Sequence, residues 1–300
     1  MHETAYIALY EKGELEERID ALREILKECR LCPRECKLNR LDGEKGYCQA
    51  GADLTISSAF PHFGEEPPLV GHYGSGTIFL TNCNLRCIFC QNYDISHLGQ
   101  GERITGSELA QYMIGLQRRG CHNINFVTPT HYVPQIVAAL PEAIGLGLEV
   151  PLVYNCGGYE SLEVIRLLDG IVDIYMPDAK FSREEDATRY CNAPNYPQVM
   201  QKILLEMHRQ VGDLMLDERG IAYRGLLIRH LVMPNGVAGT KETLSFIAKR
   251  LSVHSYVNVM DQYRPLHRSG EYPEIDRRIT YREYREAIKI AKGEGLYRGF

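Results

Sequence analysis

Six short apolar runs, at 76–82, 123–128, 150–155, 171–177, 225–233 and 255–260, alternate with amphipathic segments along the chain. A strand buried on both faces reads as such a run, and a helix between two of them is the connection that a parallel pair requires. The pattern predicts repeated strand–helix units built around a parallel sheet. The helices carry their own marks. In "TGSELAQYMIGLQRRG", Thr105 and Glu108 form a capping-box pair, Leu109, Tyr112, Met113 and Leu116 share a face, and Gly120 ends the helix. Pro134 opens a helix over 133–145, Ser161 precedes one at 162–168, and Ser182 with Glu185 and Thr280 with Glu283 mark two more. Leu244, Ile247, Ala248 and Leu251 line one face of another. Six such units make an incomplete barrel, the preferred reading, while a doubly wound open sheet alternates in much the same way.

Two regions break this rhythm. Residues 1–50 contain an amphipathic helix (Leu15, Ile19, Leu22, Leu26) that leads into a cysteine group, and the division expected is an extension over 1–70 packed on a barrel over 71–300. Residues 182–223 exceed a simple crossover, and "GDLMLDERGIAYRG" reads as a hairpin turning at Glu218-Arg219-Gly220. The formal charge of −5 arises from acids and bases mixed along the chain with no polybasic block, which gives a nucleic acid nothing to bind. No apolar run approaches the roughly 20 residues that span a bilayer, and the N-terminus is acidic, so a soluble, cytoplasmic protein is expected.

Ten cysteines in such a chain, without a secretory signal, point away from a disulfide framework. Seven lie in two tight groups; Cys121, Cys156 and Cys191 stand alone and read as packed small residues. In "TIFLTNCNLRCIFCQN", Cys83, Cys87 and Cys90 follow directly on the first apolar run. Three thiolates from one loop suit a 4Fe–4S cube with one iron left free, and the unequal spacing and lack of a nearby histidine disfavour a zinc loop. The other group, Cys29, Cys32, Cys36 and Cys48, supplies four thiolates and can close a site completely. Three cysteines within eight residues, "CRLCPREC", place a second iron–sulfur cluster slightly ahead of structural zinc.

The spacing Cys83-x3-Cys87-x2-Cys90, with Phe89 before the last cysteine, resembles the signature of the radical S-adenosylmethionine superfamily. More closely, "GSGTIFLTNCNLRCIFCQN", "VTPTH", "YNCGGYES", "DIYMPDAKF" and "IRHLVMPNG" resemble the PflX-like branch of the pyruvate formate-lyase activating enzyme relatives, from about residue 29 onward. The resemblance implies a partial (β/α)6 TIM-like barrel with an N-terminal helical, cysteine-rich extension. It also implies a cluster whose open iron binds S-adenosylmethionine, and a reductant such as a flavodoxin or ferredoxin. Asp178 and Lys180 in "MPDAK" match an Asp-x-Lys motif whose lysine pairs with the cofactor carboxylate. Arg229 matches an arginine on the fifth strand; the adjacent His230 has opposite parity, so one of the two faces inward. Asn155 stands where the relatives have an acid, and Gln262 falls near a histidine that binds the same carboxylate. Many relatives carry Gly-Gly-Glu at the end of the second strand where this chain has Val127-Thr128-Pro129-Thr130-His131, so Thr128 or Thr130 is the substitute expected. Strand parity separately turns Asn123 and Asn125 inward, where paired amides serve a cofactor or tie strands together. His131 reads as a locally bonded loop histidine.

The leading expectation is an enzyme that makes a 5′-deoxyadenosyl radical and abstracts hydrogen from a substrate, such as a glycyl residue of a partner protein. Modification of a small molecule or RNA is a second reading, and a non-catalytic iron–sulfur electron carrier a third. A carrier has no need of a carboxylate-binding lysine beside its cluster.

Overall fold

Each of the six apolar runs contains a strand in the computed structural model, which describes residues 4–300. These strands are β2 (Ser75–Leu80), β4 (Ile124–Val127), β5 (Leu152–Cys156), β6 (Ile174–Pro177), β8 (Ala222–Leu231) and β9 (Tyr256–Met260). They pair in parallel in chain order, β2-β4-β5-β6-β8-β9. A doubly wound sheet would reverse its order at a switch point, and this one does not. Three further strands complete the mixed α/β sheet: β1 (Leu54–His62) and β3 (Glu102–Ile104) extend it antiparallel beyond β2, and β7 (Met215–Leu216) forms the hairpin with the start of β8.

Strand parity separates two environments. Ile78, Leu80, Ile124, Phe126, Leu152, Tyr154, Tyr175, Leu226, Ile228, Val257 and Val259 join the large core shared with the helices. The opposite parity presents Val153, Ile174, Met176 and Leu227, which form a small separate cluster with Leu69, Leu214 and Ala222. Leu69 belongs to a helical turn, Pro67–Val70, in the connection between β1 and β2 that doubles back over this second face. Asn125 stands level with Val153 on that face, and toward their C-terminal ends the strands carry Asn155, Asp178, Arg229 and Asn258 in place of apolar residues.

Most helix marks coincide with helices. Thr105 and Thr280 each complete a capping box, with Glu108 and Glu283. Ser182 does not cap: the helix Glu184–Cys191 begins after Arg183, and the Ser182 hydroxyl is turned against Gly239, where a side chain would collide with it. The helix expected over 133–145 is two, Val133–Ala138 and Leu140–Gly145, because Pro141 has no N–H to continue the ladder. The N-terminal helix expected at Leu15, Ile19 and Leu22 is Glu14–Glu24, and a further short helix, Ala5–Glu11, precedes it across Gly13. Within the 1–70 segment, whose first three residues lie outside the described ones, β1 is part of the common sheet. Among the described residues no helix is long and apolar enough to cross a membrane.

Asp173, just before β6, fastens the N-terminal helices to the sheet. Its buried carboxylate accepts from the N–H of Ala5 at 2.9 Å and of Leu152 at 3.0 Å. Asp173→Ala orphans both donors, each costing about 1–3 kcal/mol. A lowered urea midpoint with the denaturant slope unchanged is the expected result; an unchanged midpoint would show that water replaces the carboxylate.

Candidate metal centre

Two residues in left-handed conformation, Asn82 (φ 68°) and Arg86 (φ 49°), turn the chain sharply as it leaves β2, so that three cysteines fit into a short loop. Each sulfur has a polar neighbour. The Leu85 N–H reaches Cys83 Sγ at 3.3 Å, Ser96 Oγ lies 3.2 Å from Cys90 Sγ, and Cys191 Sγ lies 3.1 Å from Cys87 Sγ. Burial pushes the Cys83 thiol up to about 12 and raises Cys90 as well; contact with Cys191, then burial, raises Cys87. The Lys180 ammonium acts against this at both Cys87 and Cys90. Metal binding ionises such thiols outright, and the Leu85 N–H at Cys83 and Ser96 at Cys90 favour the charged form. The donor set fits an iron–sulfur cluster on three thiolates.

Beside the triad lies a largely buried polar set contributed by the ends of neighbouring strands. Lys180 Nζ donates to Asp178 Oδ2 at 2.5 Å, and Arg229 donates to Asp178 Oδ1 at 2.8 Å and to Asn155 Oδ1 at 2.7 Å. Burial alone would neutralise Asp178, but the Arg229 and Lys180 cations together hold its carboxyl below the usual range. Burial likewise opposes the charge on Lys180, and the Asp178 carboxylate outweighs it, so the ammonium stays protonated. Parity places Arg229 on this face and His230 among the helices, where its ring bonds Ala179 O and Thr240 Oγ1.

Asn155, Asp178, Lys180 and Arg229 thus form one connected set. Thr128 touches it through its backbone, donating to Asn155 O at 2.8 Å while held at φ 61°, a strained value for a β-branched residue. Thr130 instead donates its hydroxyl to Glu160. Asn123 ties the chain together, bonded to Ser75 and to Leu69 O. Asn125 is fully buried, and neither polar atom of its amide has a partner. Gln262 is exposed, its amide turned to Met260 Sδ and its backbone oxygen 3.5 Å from Gln91 Nε2.

The sequence reading missed Glu65 and Glu66, which approach Arg229 at 3.8 and 4.0 Å from the segment between β1 and β2. Glu66 also accepts from Asn258 at 3.0 Å, and its other oxygen is buried without a partner. Two acids before two prolines look like a solvated turn, and only their burial distinguishes them. Burial raises the Glu65 carboxyl, with Arg229 opposing.

Cys29, Cys32, Cys36 and Cys48 line one small pocket together with Arg34, Arg40 and His131. Gly46 is required there, since a Cβ would stand 2.7 Å from Cys36 Sγ. Arg40 is buried beside the thiols, and its partners are the carbonyls of Gly51 and His131. Among the described residues no carboxylate pairs with it. A buried guanidinium without a counterion is costly, and an anionic tetrathiolate centre would supply the missing charge. His131 donates from Nε2 to Thr81 O at 2.7 Å, which leaves Nδ1 buried and unpartnered, and burial lowers its pKa to about 3. In neither cysteine group are the sulfurs gathered on a point: among the described residues no group of three or more His, Cys, Asp or Glu side chains is arranged about a single ion.

Fold and site together define a mixed α/β protein with a cysteine loop at the C-terminal end of the first parallel strand. The chain belongs to the family of the uncharacterized protein MJ0674 of Methanocaldococcus jannaschii, with which it shares 35% identity over 292 residues, covering 94% of this chain and 79% of that one. No protein-family model matches it. Among solved structures, HydG, a maturase of the FeFe-hydrogenase, aligns with a TM-score of 0.49 and 11% identity over 72% of this chain. This chain spans about half of HydG, 48% of its length.

Asp178→Asn removes the carboxylate shared by two buried cations. Breaking a fully buried ion pair costs about 3–5 kcal/mol, and this partly solvated one costs less; removing both partners costs less again. Urea denaturation of the metal-free protein should show Asp178→Asn well below wild type and the Lys180→Met, Asp178→Asn double variant recovering part of the loss. Additive losses would show that Asp178 and Lys180 act independently.

Proposed function

We propose that this chain is a radical S-adenosylmethionine enzyme with a 4Fe–4S cluster on Cys83, Cys87 and Cys90. The observation that carries the reading is the triad in one short loop, with the Leu85 N–H at Cys83 and Ser96 at Cys90, set against the Lys180–Asp178–Arg229 network. When bound and reduced, such a cluster supplies the electron that splits S-adenosylmethionine into methionine and a 5′-deoxyadenosyl radical able to take hydrogen from a substrate. The protein's own tasks follow from its geometry. Lys180, kept charged by Asp178, is the partner for the cofactor carboxylate; Arg229 orients Asp178 and Asn155 from the next strand. Asn125, with its unpartnered amide, is available to a ligand on the inner face.

In this reading the six parallel strands curl into a partial barrel over 71–300, related to the PflX-like activating enzymes, with the cysteine-rich extension over 1–70 packed against it. The substrate is a residue of a partner protein, the reductant a flavodoxin or ferredoxin, and the compartment the cytoplasm. The four-cysteine pocket holds a second 4Fe–4S cluster in preference to zinc; the uncompensated Arg40 favours an anionic centre of either kind.

The central test is conversion of S-adenosylmethionine to 5′-deoxyadenosine by anaerobically reduced protein. Cys83→Ala, Cys87→Ala and Cys90→Ala should each abolish it, since each removes one of three ligands. Wild-type-like product from any one of them would overturn the assignment. The four-cysteine pocket is tested by metal content. Intact protein should hold about eight irons per chain and Cys32→Ala about four, because one cube contains four irons. Stoichiometric zinc lost with Cys32 would replace the second cluster by a structural zinc and leave the triad untouched.

A further inference from the structure

Cys191, expected to be a packed small residue, is buried in the core, and its sulfur also lies 3.1 Å from that of Cys87 across 104 positions of sequence. The approach is built into the surrounding backbone. The Ile88 N–H donates to Tyr190 O at 3.0 Å, so the residues beside the two cysteines are hydrogen-bonded to one another. Arg34 then joins the same two segments from outside, donating to Asn84 O at 2.5 Å and to the carbonyls of Cys191 at 3.2 Å and Asn192 at 2.8 Å. Its guanidinium stacks on the Tyr47 ring, 3.4 Å from the centroid, which limits its freedom to let go. The other two triad sulfurs meet a backbone amide and a hydroxyl; Cys87 meets a second sulfur.

We infer that Cys87 and Cys191 are a disulfide-forming pair in the metal-free protein, a modification site that withdraws one of the three triad thiols. The chemistry balances with a small-molecule disulfide as oxidant. One thiolate of the pair attacks the oxidant, releasing one thiol and leaving a mixed disulfide; the other attacks that bond, forming Cys87–Cys191 and releasing the second thiol. Two electrons pass to the oxidant and two protons leave the pair. The cross-link does not depend on the proposed activity. Its consequence does rest on that reading, since a site reduced to two thiols no longer holds a three-thiolate cluster.

The test uses the full chain, stripped of metal by a chelator, reduced, desalted and then incubated with glutathione disulfide. Titration of free thiols and non-reducing peptide mapping should show two thiols lost and the peptides of Cys87 and Cys191 joined. Cys191→Ser should lose this cross-link. Iron and sulfide uptake at the triad by the oxidised wild type should be at most about half that of the reduced protein and return on reduction, whereas Cys191→Ser should load equally before and after oxidant. Cross-links confined to Cys83, Cys87 and Cys90, or no cross-link, would overturn the pairing. A Cys87–Cys191 bond that leaves uptake unchanged would overturn its effect on loading. Failure to cleave S-adenosylmethionine despite both results would count against the proposed activity alone.

Discussion

One carboxylate, Asp178, holds the candidate site in shape. It stands between Lys180 and Arg229, and those contacts tie the end of β6 to β8 and, through Arg229 and Asn155, to β5. Three largely buried charges this close are stable because each compensates another. The arrangement also fixes parity: with Arg229 turned to this face, His230 is turned to the helices, and the apolar registers below follow. The inner face thereby changes from Val153, Ile174, Met176 and Leu227 to a polar ring at the ends where the cysteine loop lies.

A second constraint is the way the N-terminal segment reaches across the molecule. Arg34, among the first four cysteines, bonds carbonyls beside Cys83 and at Cys191, while His131, on the wall of the same pocket, bonds Thr81 O. Both flanks of Cys83 are therefore held by residues of the four-cysteine pocket. The two cysteine groups are far apart in sequence and mechanically joined in the structure.

Much of this architecture was legible because it is local. The six parallel strands are apolar runs, and the two capping boxes need only residues three apart. The cysteine spacing and the Asp178–Lys180 pair are equally contiguous. β1 escaped because "LTISSAFPH" is half-exposed and lacks the run of a strand buried on both faces. β3 has three residues and too little pattern to read. Glu65, Glu66, Arg40 and Cys191 escaped for another reason. Their chemistry comes from burial and from partners distant in sequence, and a lone acid, arginine or cysteine shows neither in a one-dimensional pattern. Gln262 shows the converse, a position near the triad by backbone whose side chain faces solvent.

The buried Arg40 guanidinium has carbonyls and, among the described residues, no acid for partners, which makes closing the N-terminal segment an electrostatic problem. Carbonyl dipoles offset only part of the cost of enclosing a full positive charge, so the segment closes at a penalty. Because that same segment carries Arg34, the enclosure of this cation and the grip on the loop of Cys83 are borne by one stretch of chain.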